Sequence, residues 1–97
     1  MRSDNARPRV LLLAEGPTAR SALEALVERF TVVGFVRRAD DDVAQEARQA
    51  NIPVITETSV AAIERLVIAL APDCVVVSSY DRVLSEDLLA RCPFVNV

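Results

Sequence analysis

Ninety-seven residues with a formal charge of -3, 52% hydrophobic and 26% charged, bound a single domain spanning residues 1–97 with a modest buried core. With 2 Gly and 5 Pro the chain is neither low-complexity nor disordered, and its mild acidity gives no electrostatic case for nucleic acid or an anionic membrane surface. The absence of histidine excludes imidazole acid–base catalysis and His metal sites from these residues, and no metal site is expected. Every basic residue is an arginine, which reads as genomic bias and not as a binding device.

The N-terminal stretch through Arg9 is basic, and Val10 to Ala14 is apolar but too short for a signal-peptide core, with Asp4 and Glu15 breaking the pattern. No apolar run approaches the about 20 residues of a membrane span. A cytoplasmic protein with no membrane partner is expected. Val10 to Ala14 reads instead as a strand buried on both faces. Glu15-Gly16-Pro17-Thr18 breaks it, and Pro17 suits the first helical turn, where a missing N–H costs nothing. Ala19, Ala22, Leu23, Leu26, Val27 and Phe30 form one helical stripe. Thr31 to Val36, β-branched and aromatic, reads as a second strand.

Asp40, Asp41 and Asp42 precede a helix predicted over Val43 to Ala50. A capping role fits that position better than a metal or ribose site, since the run leads directly into the helix. Asn51 supplies a left-handed stop, and Ile52 to Ile55 a short third strand with Pro53 at its start or edge. Thr58 or Ser59 caps the next helix, whose stripe is Val60, Ile63, Val67 and Leu70 and which ends at Pro72-Asp73. Cys74 to Val77 is the fourth strand. Ser78 to Arg82 turns, Ser85 caps a short helix with Leu84 placed to staple against Leu89, and Phe94 to Val97 opens a fifth strand. Cys74 and Cys92 belong to no CxxC pair and read as small reduced apolar side chains.

Non-alternating apolar strands separated by amphipathic helices predict an α/β fold with a parallel sheet covered on both faces. Right-handed crossovers make it a doubly wound, Rossmann-like sheet, with predicted strand order 3-2-1-4-5. The ligand crevice then lies at the carboxyl ends of strands one and four, beside Glu15–Thr18 and Ser78–Arg82. The first loop is neither GxGxxG nor a P-loop. A helix N-terminus at Gly16, Pro17 and Thr18 can hold an anion, though the weak glycine pattern favours a plain turn. Tyr80, Asp81 and Arg82 cluster where ligands bind such sheets, and the alternative is a surface turn with an Asp81–Arg82 pair. Asn96, polar in a strand expected to be buried, is either a hydrogen-bond donor to a developing oxyanion or a frayed terminal residue. A flavodoxin-like or receiver-like domain fits the alternation too, but a receiver's acid cluster at the end of strand one and its phosphorylatable Asp after strand three are missing.

Several segments taken in order are similar to the formyltransferase family. ARSALEAL from Ala19, with Phe30 to Val36, resembles its opening helix and second strand, and Ala50-Asn51-Ile52-Pro53-Val54 its third strand. Ala71 to Val77 resembles its fourth strand, Tyr80 to Leu84 the following turn, and Val95-Asn96-Val97 the start of its catalytic segment. The resemblance runs from about Val10 to Val97. It implies the N-terminal part of an enzyme that moves a formyl group from 10-formyltetrahydrofolate to an amine. It implies that Asn96 hydrogen-bonds the formyl oxygen, that Tyr80, Asp81, Arg82, Val83 and Leu84 line the folate site, and that Gly16, Pro17 and Thr18 lie near the acceptor. The family's catalytic His and Asp would fall after Val97, so the domain is expected to be incomplete at its C-terminal end and inactive in isolation. The first loop, AEGPTA, departs from the family's usual pattern. The compact Arg37-Arg38-Ala39-Asp40 replaces a basic loop found in the tRNA-directed members, which leans toward a small-molecule acceptor such as a sugar nucleotide rather than tRNA. A truncated, non-catalytic remnant or half of a split protein is the alternative, because an open fifth strand invites pairing.

Overall fold

A computed structural model describes residues 7–80 and 84–97. Its elements are β1 (Arg9–Ala14), α1 (Ala19–Arg29), β2 (Thr31–Val36), α2 (Asp42–Gln49), β3 (Val54–Ile55), α3 (Val60–Leu70), β4 (Cys74–Ser78), α4 (Glu86–Arg91) and β5 (Phe94–Asn96). The strands form one five-stranded sheet in the order β3-β2-β1-β4-β5, parallel at every pairing. This is the doubly wound arrangement expected from the sequence.

The continuous apolar character of β1 follows from its place at the centre of the sheet. Val10, Leu12 and Ala14 pack on one face with Ala19 and Leu23 of α1 and Ala47 of α2. Leu11 and Leu13 pack on the other with Ile63 and Val67 of α3 and Leu88 of α4. Each leucine buried there contributes roughly 1.5–3 kcal/mol. The pairing of β1 with β2 skips a residue between Val32 and Gly34, and the bulge falls where the glycine is needed. A Cβ on Gly34 would lie 3.0 Å from Leu11 Cδ1 and 3.3 Å from Ile55 Cδ1.

The helix ends follow local chemistry. Asp41, Ser59 and Ser85 each accept a hydrogen bond from a backbone N–H in the first turn of α2, α3 and α4. Asn51, at φ 62°, is the left-handed stop after α2. Three details depart from the sequence expectation. Pro17 lies outside α1, because the Ala19 N–H closes a turn onto the Gly16 carbonyl at 3.2 Å and Thr18 takes the N-cap position. Pro17 is thus the second residue of that turn, a place its fixed φ suits equally well. α3 ends on Ala71 at φ 46°, a left-handed conformation that no turn residue announced. Leu84 packs against the core face of α3 and α4 with Leu88, while Leu89 is 45% exposed and points outward.

At the amino edge of the sheet, Arg9 and Asp73 exchange two hydrogen bonds. Arg9 N–H donates to Asp73 Oδ2 and Asp73 N–H to the Arg9 carbonyl, each at 2.8 Å. Cys74 and Cys92 are free and half-buried, and burial pushes both thiols up, Cys92 also through its neighbour Cys74. Thiols held protonated in this way are poor nucleophiles.

Candidate functional site at the carboxyl edge

α1 and α2 cover one face of the sheet, α3 and α4 the other. The chain leaving β1 therefore turns to one face and the chain leaving β4 to the opposite face. The two strands are direct neighbours, so their exits diverge and open a crevice at the carboxyl edge. The switch point falls between β1 and β4, as the predicted strand order requires.

The two exit loops are locked together. Glu15 N–H donates to the Ser78 carbonyl at 3.3 Å. The Thr18 and Ser78 hydroxyls share a hydrogen bond of 2.8 Å. Gly16 lies so close to the second loop that a Cβ on it would sit 2.7 Å from both Cβ and Oγ of Ser79. Ser79 is itself left-handed at φ 60°. Strain of that kind, in a residue with a side chain, persists where surrounding structure fixes it, and here it sits at the mouth of the crevice.

A buried arginine, unforeseen from the sequence, holds the floor of the first loop. The Arg37 side chain, at the end of β2, is 8% exposed. Its Nη1 donates to the carbonyls of Ala14 (3.1 Å) and Gly16 (3.4 Å), while Nε and Nη2 donate to the two carboxylate oxygens of Asp41 at 3.1 and 2.7 Å. The bidentate Arg37 contact holds the Asp41 carboxyl down at about 2, helped by the Ala44 N–H, and in return raises the arginine. Asp41 is therefore both the cap of α2 and the counter-ion of Arg37, and the acidic run has a structural employment. The signal in the sequence is faint: an arginine directly after a buried strand with an aspartate four residues on. Asp40 pairs instead with Arg48 at 2.6 Å.

Of the residues expected to line a site, Gly16, Pro17 and Thr18 form the first loop beside Ser78 and Ser79. Tyr80 leaves β4 with its hydroxyl donating to the Thr58 carbonyl at 2.8 Å, and Leu84 is half-buried on the α3–α4 face. Asp81, Arg82 and Val83 lie outside the described residues. Asn96 pairs in register with Val77 at the carboxyl edge. The expectation that its strand is buried is corrected: among the described residues β5 is at the edge of the sheet, and Asn96 is exposed. Alternation along β5 directs Asn96 to the face of Val77 and Val97 to the face of α1. On the α1 face, Thr18, Ala22, Leu26, Val76, Ser78 and Val97 line an open groove of about 350 Å³. A second hollow of about 510 Å³ lies between the starts of α1 and α2, lined by Pro17, Arg20, Glu24, Asp41 and Asp42 among others. Its acidic walls work against an anion at that side of the α1 N-terminus. Glu46 pushes the Glu24 carboxyl up, by hydrogen bonding and like charge. Among the described residues, no group of three His, Cys, Asp or Glu is placed to hold a metal ion, and no helix is long and apolar enough to cross a membrane.

The sheet order, with its switch point between β1 and β4, defines a doubly wound, Rossmann-like α/β domain. Solved structures narrow this further: the fold is that of the N-terminal domains of formyltransferases. A glycinamide ribonucleotide transformylase from Symbiobacterium toebii superposes with a TM-score of 0.72 at 20% identity, over 96% of this chain and 52% of its own. A formyltetrahydrofolate deformylase from Pseudomonas syringae gives 0.76 at 20% identity, over 95% of this chain and 36% of its own. A phosphoribosylglycinamide formyltransferase from Brucella melitensis gives 0.67 at 23%, over 93% and 56%. The chain thus spans between about a third and just over half of these structures. No family model matches the sequence, and no curated protein sequence matches it.

Proposed function

We propose that this chain forms the crevice half of an enzyme that transfers a formyl group from 10-formyltetrahydrofolate to an amine, and that it is inactive in isolation. One observation carries the reading. The loop Gly16–Thr18, the exit of β4 at Ser78–Tyr80 and Asn96 converge on the carboxyl edge of a fold shared with transformylases and a deformylase. In the transfer, the amine nitrogen bonds to the formyl carbon and the carbonyl electron pair moves onto oxygen. Asn96 donates a hydrogen bond to that oxyanion. Collapse expels the folate nitrogen, which takes the proton the amine gives up. Asn96 supplies one donor but cannot carry that proton, and the chain contains no histidine to do so. Tyr80, Asp81, Arg82, Val83 and Leu84 hold the donor, and Gly16, Pro17 and Thr18 face the acceptor.

The acceptor is a small-molecule amine, a sugar nucleotide before tRNA. The first arginine after β2 supports this: Arg37 is buried and spent on Asp41 and two carbonyls, so it is not offered to a phosphate backbone. A cytoplasmic location is part of this reading. A second reading is an interaction domain that pairs with a separate half.

Titrating the chain calorimetrically with a stable 10-formyltetrahydrofolate analogue, with Arg82→Ala alongside, tests the first reading. Binding that the substitution weakens supports the folate site. A folded chain that does not bind the analogue overturns the claim that these residues form the folate site by themselves.

A further inference from the structure

Around the carboxyl edge, hydrogen bonds close into a ring that joins the loops after four different strands. Glu15 N–H donates to the Ser78 carbonyl at 3.3 Å. Two residues on, the Tyr80 hydroxyl donates to the Thr58 carbonyl at 2.8 Å. The buried Thr58 hydroxyl accepts from Arg38 Nη2 at 3.2 Å. Arg38 N–H returns to Glu15 Oε1 at 3.0 Å, with Arg38 Nη2 at 3.7 Å from Oε2.

The Tyr80–Thr58 link is the informative one. β3 and β4 are not neighbours, and β2 and β1 lie between them. Three strand spacings of about 4.8 Å separate their ends, which a tyrosine spans only if the Thr58 segment leans back over the sheet. The ring therefore constrains loops that the backbone ladder leaves independent.

We propose that Arg38 and Thr58 are positioning residues that couple the acceptor-side loop Glu15–Thr18 to Tyr80 on the donor side. The labels acceptor and donor rest on the proposed formyl transfer, but the mechanical coupling does not. A ligand that orders Tyr80 thereby orders the first loop, and the order of the first loop is returned to Tyr80. Arg38 suits a positioning role better than a stabilising one. Its side chain is 62% exposed, and exposed pairs of this kind add little to folding.

Tyr80 is the sole tyrosine and the chain has no tryptophan, so its fluorescence reports this position alone. In Arg38→Ala, thermal unfolding should be nearly unchanged while Tyr80 anisotropy falls and the Glu15 amide exchanges about three- to tenfold faster, as expected for one lost hydrogen-bonded tie. Thr58→Val should act alike, and Thr58→Ser, which keeps the hydroxyl, should restore both readouts. The coupling is overturned if Tyr80 anisotropy and Glu15 exchange in Arg38→Ala equal those of the unsubstituted chain. Titration with the folate analogue then separates the two claims. Affinity about threefold weaker in Arg38→Ala supports coupling to ligand binding. A chain that ignores the analogue yet shows the fluorescence and exchange changes overturns a folate site formed by these residues alone and leaves the coupling standing.

Discussion

Replacing Gly16 with alanine tests the contact that sets the crevice. The new methyl would lie 2.7 Å from Ser79 Cβ and Oγ. Carbon atoms rest about 3.5–4.0 Å apart, so one of the two loops must move by roughly 1 Å. Neither moves freely. The Glu15 N–H, the Gly16 carbonyl and the Thr18 hydroxyl are all hydrogen-bonded, and Ser79 already sits at φ 60°. Overpacking of this kind costs about 1–3 kcal/mol. In a domain of this size that lowers the unfolding midpoint by roughly 4–8 °C per kcal/mol. Ser79→Gly removes the atoms in the way and relaxes the left-handed backbone. The double substitution Gly16→Ala with Ser79→Gly should therefore recover most of the loss, with a coupling of about 1–2 kcal/mol. Urea unfolding of the four proteins in the cycle measures it. Costs that add within about 0.5 kcal/mol would show that the clash is not what makes Gly16 necessary.

Ala71→Gly should stabilise the fold, because Ala71 holds φ 46° and glycine adopts that conformation without the side-chain penalty; a gain of about 0.5–1 kcal/mol by urea unfolding is expected. The Arg37–Asp41 pair gives the fold an acid limit. The carboxyl sits at about 2 in the folded chain, below its ordinary value of about 4, so its contribution is full above the ordinary value and is lost as pH falls toward about 2. Thermal midpoints followed down that range should fall more steeply for the parent than for Asp41→Asn, and parallel curves would rule out the pair as the cause.

The parts of the fold legible in the sequence are those fixed by local chemistry. The apolar run of β1 announced a strand covered on both faces. Ser59 and Ser85 announced helix starts, and Asn51 a left-handed stop. The alternation of apolar strands with amphipathic helices pointed to a doubly wound sheet, and the order β3-β2-β1-β4-β5 puts its switch point between β1 and β4. Ala71 escaped notice because nothing in an alanine signals positive φ. There the conformation is imposed by the Val67 carbonyl, which accepts the Ala71 N–H at 2.9 Å, and by Arg9 Nη1 on the Ala71 carbonyl at 2.9 Å.

The site divides along the same line. Which residue types stand at the carboxyl edge is written in the chain order: Gly16 to Thr18 after one apolar run, Tyr80 after another, Asn96 at the end of a third. Whether they are buried, strained or tied is a matter of what folds over them. Asn96 is exposed on β5, which is at the edge of the sheet among the described residues. Arg37 is buried because the end of β2 lies beside the Ala14 and Gly16 carbonyls, which need a donor there, and Asp41, at the N-cap of α2, neutralises it. The ring through Glu15, Arg38, Thr58 and Tyr80 joins residues up to 65 positions apart (15 to 80), a closure that depends on three dimensions. Periodicity and capping are interactions between near neighbours, so the sequence by itself determined the elements and their order. Long-range hydrogen bonds depend on which loops the sheet brings together, so the tertiary structure alone decided how the crevice is held.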